Sequence, residues 1–140
     1  MLREFLDSLA KRSIDIALAS TGIAVTWPAM VAIASAIALE DKQSAFFVQQ
    51  RVGKDGEPFS LIKFRTMTNR PNPNEGIQIT VGDDPRITKI GKLLRNARLD
   101  ELPQLFNILR GDMSVVGPRP EVPHYVAHYT QEQMKVLSVR

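Results

Sequence analysis

The sequence predicts an α+β fold, mainly helical: a proline-broken apolar helix, then a small domain with a β-hairpin and amphipathic helices. Three observations lead there. An uncharged apolar run extends from Ile16 to Leu39 and is interrupted by Trp27-Pro28. Two short apolar segments flank Asp55-Gly56, a pair that favours hairpin turns because both residues tolerate positive φ. Further on, apolar residues recur at helical spacing, first around Ile90 and Leu94 and then around Leu105 and Leu109. With 140 residues, 44% hydrophobic and 24% charged, the chain suits one folded domain and not wholesale disorder. The absence of cysteine removes disulfides, thiolate chemistry and cysteine-bound zinc.

The first element spans residues 1–42. Lys11-Arg12 precede the apolar run and Glu40-Asp41-Lys42 follow it. At about 1.5 Å per residue, Ile16 to Leu39 would reach roughly 36 Å, against a hydrocarbon core of about 30 Å. Pro28 lacks a backbone donor, clashes with the carbonyl of residue 24 and biases Trp27 away from helical dihedrals. Each arm is then too short to cross alone. Cations flank both ends, so both ends prefer the cytoplasmic side. These features favour a re-entrant, hairpin-like anchor over a kinked full span or a buried soluble helix. The run's length and internal proline make it a poor secretory signal, although Ala34-Ser35-Ala36 is similar to a cleavage site. Asp15, three residues after Arg12, is expected to pair with it at the interface.

The remaining 43–140 form the expected soluble domain. Ala45 to Val52 and Phe59 to Met67 are the two hairpin strands. Asn69 to Gly76, rich in proline and asparagine, is an expected exposed loop. Asp84-Pro85 is an expected helix start, with Asp84 as cap, followed by a helix with Lys89, Lys92, Arg95 and Arg98 on its polar surface. Such a helix suits an anionic membrane surface or ordinary solvent. Leu99-Asp100-Glu101-Leu102-Pro103 reads as the next helix start, and Gly111 as the C-terminal cap. Pro118-Arg119-Pro120 is a stiff, extended segment.

The chemistry-bearing residues lie in these last segments. Asp100 and Glu101 are adjacent, so on a helix their side chains diverge by about 100° and do not share one proton. Separate roles follow: one carboxylate attacks or orients, the other holds a metal. A helix N-terminus with Arg95 and Arg98 nearby is expected to keep Asp100 ionised, the form a nucleophile needs. Taken alone, an aspartate before a helical proline is more often only a cap. His124 and His128, four apart, are expected to be ordinary surface histidines and not zinc ligands. The net charge of +3 fits phosphate, anionic lipid or nucleic acid, but aromatics at 6% are not interleaved with the basic residues, which disfavours nucleic acid.

Ordered motifs add a resemblance. Lys11-Arg12 and the proline-interrupted run are followed by Gln49-Gln50-Arg51-Val52-Gly53 and Lys63-Phe64-Arg65-Thr66-Met67. Then come Thr88-Lys89-Ile90-Gly91, Leu93-Leu94-Arg95, Leu99-Asp100-Glu101-Leu102-Pro103-Gln104 and Gly111 to Pro120. From Lys11 to Glu121 the chain resembles the bacterial monotopic phosphoglycosyl transferases, or bacterial sugar transferases. The resemblance implies transfer of a sugar 1-phosphate from a UDP-sugar to a polyprenyl phosphate such as undecaprenyl phosphate. The route implied passes through a covalent phosphosugar-enzyme intermediate at the cytoplasmic face of the bacterial inner membrane. By position, Asp100 would be the nucleophile and Glu101 would help hold Mg²⁺. Arg95 would bind phosphate, and Pro118, Arg119 and Pro120 would meet nucleotide or phosphate. Membrane lipid and downstream glycosyltransferases are the implied partners. The family's usual C-terminal segment, with a Pro-Gly-Ile-Thr-Gly-like motif, is not among these residues. A membrane-anchored binding module of the same fold is therefore the alternative.

Overall fold

The computed structural model describes residues 2–68 and 84–139. The expected loop from Asn69 to Gly76 lies outside them. The first element, α1 (Leu2–Asp41), is a 40-residue helix that continues through Pro28. The break expected at Trp27-Pro28 is therefore absent as an interruption. Proline removes one rung of the ladder, and Thr26 Oγ1 donates to the Gly22 carbonyl at 2.7 Å one turn earlier. Packing on both sides of Pro28 then holds the helical path.

That packing is unequal along α1. Before Pro28, Arg12 donates to the carbonyls of Ile108 and Leu109, at 2.6 Å each. Asp15 accepts from Ser114 Oγ at 2.9 Å and from the Val115 N–H at 3.0 Å. The expected Arg12–Asp15 pair is thus replaced by two separate attachments to segments almost a hundred residues away. After Pro28, Met30 and Ile37 join Phe64 and Leu94 in the buried core, flanked by Ile33, Ala34, Ala45, Ile90 and Leu102. Val25, Trp27, Val31 and Leu39 stay exposed on the helix. Ser8–Glu40 is long and apolar enough to cross a membrane, by length and composition.

The hairpin forms as the Asp55-Gly56 signal predicts. Strands β1 (Phe46–Val52) and β2 (Pro58–Phe64) pair antiparallel from Phe46↔Phe64 to Val52↔Pro58. Asp55 and Gly56 both take positive φ, at 57° and 81°. Phe46 stacks on Phe64 with ring centroids 5.5 Å apart. On the far edge of β2, the fully buried Asn107 acts as a surrogate strand: its amide accepts from the Ile62 N–H and donates to the Ser60 carbonyl.

Helix α2 (Lys89–Asn96) starts later than Asp84-Pro85 suggests, and Thr88 is its cap, accepting from the Gly91 N–H at 2.9 Å. Two competing interactions explain the shift. The Asp84 carboxylate is taken by the Arg86 guanidinium and backbone N–H. Ile87 is held extended by a bridge to Met67. Gly91 is required here, because a Cβ would lie 2.1 Å from the Thr66 carbonyl oxygen. Glu40, at the end of α1, accepts from the Lys89 and Ile90 N–H groups and completes the start of α2. Helix α3 (Gln104–Arg110) ends at Gly111, which takes φ 95° as the expected left-handed cap. Two one-turn helices follow, α4 (Pro123–Val126) and α5 (Gln131–Met134).

Candidate active site

Between α2 and α3 the chain makes a 3₁₀ turn, Leu99–Glu101. Arg98 introduces it in the left-handed region at φ 58°, a conformation that costs a non-glycine residue of order 1 kcal/mol or more. A 3₁₀ turn has three residues per turn, so Asp100 and Glu101 diverge by about 120°. The two carboxylates thus sit on a tighter turn than the expected helix start. Glu101 accepts from Arg119 Nη2 at 2.7 Å. This brings a residue of the proline-framed segment onto the carboxylate pair.

Cations surround the turn. The Asp100 carboxyl feels the charges of Lys63 and Arg95, and Lys63 in turn feels Arg51, Arg95 and Arg119. Burial lowers the Lys63 ammonium, Asp100 opposes that shift, and the three arginines add to it. Its Nζ sits 5.2 Å from the centre of the Phe47 ring. Sequence reasoning assigned roles to Arg95 and Arg119 but none to Lys63 or Arg51. Strand alternation offered a signal for Lys63: it neighbours the fully buried Phe64 and so faces the opposite side of β2.

The surroundings of Asp100 act against its ionisation as well as for it. Burial and then the neighbouring Glu101 push its carboxyl above the ordinary range, outweighing its own N–H, Lys63 and Arg95. The expected help from a helix N-terminus is weak because the residue sits on a single 3₁₀ turn. The Glu101 charge adds to the cost of ionising Asp100, a situation that a nearby divalent cation relieves.

Pro118, Arg119 and Pro120 line a small cavity of about 30 Å³ together with Gly53, Lys54 and Tyr129. Asp100, Glu101 and Arg95 are not in its lining, and Arg119 links the two through its bond to Glu101. Arg51 fixes this segment from the hairpin: its Nη1 donates to the Pro120 carbonyl at 3.0 Å, and the Val52 N–H donates to the Glu121 carbonyl at 2.9 Å. Burial lowers the Arg51 guanidinium, with Glu121 opposing.

Among the described residues, no group of three or more histidines, aspartates or glutamates is gathered to hold a metal. His124 and His128 lie edge to face at 5.2 Å, and His128 Nδ1 bonds the His124 carbonyl at 2.8 Å. Asp100 and Glu101 remain the carboxylates that could share a cation, with further ligands drawn from water or substrate phosphate.

A family profile described as bacterial sugar transferase matches residues 6–140. A Bacillus subtilis protein, provisionally named an undecaprenyl-phosphate N-acetylgalactosaminyl 1-phosphate transferase, is 43% identical over 122 residues. That alignment covers 87% of this chain and 68% of the relative. A Caulobacter vibrioides protein named UDP-glucose:undecaprenyl-phosphate glucose-1-phosphate transferase is 43% identical over 132 residues, 86% of this chain and 49% of that protein. An Escherichia coli protein of the same name is 44% identical over 126 residues, 90% of this chain but only 26% of its own length. The chain thus spans about two thirds of one relative and half or less of the other two.

Proposed function

The chain belongs to the bacterial sugar transferase family, and from that premise we propose that it moves a sugar 1-phosphate from a UDP-sugar to undecaprenyl phosphate. One observation carries the reading most directly. Asp100 and Glu101 project from one tight turn, within the influence of Lys63 and Arg95 and with Arg119 bonded to Glu101. Phosphoryl transfer depends on positioning and on neutralising phosphate charge, and this cluster supplies a carboxylate nucleophile among cations.

In the proposed first step, an Asp100 carboxylate oxygen attacks the phosphorus that bears the sugar. The bond to the bridging oxygen breaks and UMP leaves with its electron pair. In the second step, a phosphate oxygen of the polyprenyl acceptor attacks the same phosphorus and Asp100 departs as carboxylate. Arg95 binds phosphate, and Arg119 contacts nucleotide or phosphate. Magnesium held by Glu101 would neutralise charge on the diphosphate when bound. Because the Asp100 carboxyl is raised, the attacking form accumulates with rising pH, and turnover should increase through that titration.

The anchor reading has its own support. Arg12 and Asp15 at one end of the apolar stretch, and Glu40 at the other, are bonded to the same domain. A helix crossing the bilayer would place one end on the far side, away from that domain. The attachments therefore favour both ends of α1 staying on one side of the membrane, proposed as the cytoplasmic face of the inner membrane.

Turnover of a panel of UDP-sugars with undecaprenyl phosphate and Mg²⁺, followed by UMP release, tests the reaction. Asp100→Asn should abolish both UMP release and covalent phosphosugar labelling. Retention of both would remove the nucleophile assignment, and no turnover with any UDP-sugar would remove the reaction.

A further inference from the structure

Among the described residues, the proposed chemistry leaves one buried ionisable group without a part: Asp15. It lies on α1 between the exposed Ile14 and Ile16, yet is only 5% exposed itself. A carboxylate removed from water is costly unless hydrogen-bonded. Its two donors, Ser114 Oγ at 2.9 Å and the Val115 N–H at 3.0 Å, both come from the segment that follows α3. Ser114 Oγ also accepts from the Val116 N–H at 3.4 Å, so the bonds set the local path of the backbone.

That path leads straight to Pro118-Arg119-Pro120. Only Gly117 and Pro118 separate Val116 from Arg119, and Pro118 and Pro120 fix φ on either side of that arginine. Beyond them, Arg51 holds the Pro120 carbonyl and Val52 holds Glu121. The segment is thus pinned at two points, by Asp15 on the anchor helix and by the hairpin, with Arg119 between the pins. We propose that Asp15 is a positioning residue that, through Ser114 and Val115, sets Arg119 to receive the diphosphate of the nucleotide sugar. The inference rests on the proposed transfer reaction and extends it: the anchor helix would help shape the nucleotide side of the site as well as localise the enzyme.

The test uses the full chain in membranes with a UDP-sugar, undecaprenyl phosphate and Mg²⁺. Asp15→Leu removes the acceptor, Asp15→Asn keeps an oxygen in its place, and Ser114→Ala removes one donor without touching α1. Asp15→Leu should raise the KM for the UDP-sugar about tenfold and Ser114→Ala about threefold, the scale of lost hydrogen bonds to a charged group. The KM for undecaprenyl phosphate should hold, and Asp15→Asn should stay within about twofold of the parent. Amide exchange should quicken at Val115 and Val116 while the hairpin amides keep their rates. An unchanged UDP-sugar KM, an Asp15→Asn variant as impaired as Asp15→Leu, or exchange rising equally across the domain would overturn the proposal. If the parent turns over no UDP-sugar, the transfer reaction falls and the role assigned to Arg119 falls with it. The exchange measurement then decides separately whether Asp15 pins the segment.

Discussion

The two arms of α1 hold the domain by different means. The arm before Pro28 adds directional polar bonds to the close packing of Ala19 and Gly22: Arg12 on carbonyls in the last turn of α3, and Asp15 on the loop after it. The arm after Pro28 uses area: Met30 and Ile37 bury against Phe64 and Leu94, with Glu40 closing the start of α2. Hydrophobic burial is non-directional and supplies most of the free energy of attachment, whereas hydrogen bonds contribute less but fix orientation. The Asp100-Glu101 turn hangs between α2 and α3, so each arm grips one side of it. The division implies that one arm holds the domain down and the other aims it.

Four measurements break or sharpen that division. The largest contrast is topological. With Ser8 and Gln43 changed singly to Cys, a membrane-impermeant reagent should label both from the cytoplasmic side and neither from the other. Labelling from opposite faces would end the idea that both arms meet one domain. Next in size, Phe64→Ala should cost about 3–5 kcal/mol in denaturant unfolding, because a fully buried ring is lost from the seam with the second arm. Arg12→Ala should cost about 1–2 kcal/mol and Glu40→Ala about 1 kcal/mol, each leaving helix-end groups unpaired. If Arg12→Ala proves as damaging as Phe64→Ala, the first arm is no mere aiming device. The smallest effect concerns the turn itself. The folded state raises the Asp100 carboxyl, so the stability linked to its protonated form is present at low pH and lost as pH rises through the folded value. Asp100→Asn should therefore stabilise the fold slightly at neutral pH, by under about 1 kcal/mol given the residue's partial exposure, and flatten this pH dependence. A fall in Tm would show that the surrounding cations need the charge more than burial opposes it.

Local signals were legible wherever a local interaction decided the outcome. Asp55-Gly56 announced the hairpin, and Gly111 the end of α3. The carboxylate pair and Arg119 were also visible as candidates by residue type and order, and the fold bonds Arg119 to Glu101. Long-range partners hid the rest. Arg12 and Asp15 stand at ideal spacing for each other, yet backbone carbonyls at 108–109 and donors at 114–115 satisfy them better. Asp84-Pro85 has the form of a helix start, but Arg86 takes the carboxylate and the Met67 bridge keeps Ile87 extended. Lys63 was hidden by distance along the chain: it joins Asp100 only once β2 packs beside the turn.

Asn107 has a consequence of another kind. A two-stranded sheet leaves open edges, and open edges invite further chains to add strands and grow into aggregates. At the middle of β2 that invitation is withdrawn, because the Asn107 amide already occupies the Ile62 N–H and the Ser60 carbonyl. Its remaining donor is used on Asp112, so the plug is itself held in place. An intruding strand would have to evict a fully bonded side chain from the interior before forming its first pair, which gives this small hairpin a built-in guard against polymerisation in the folded protein.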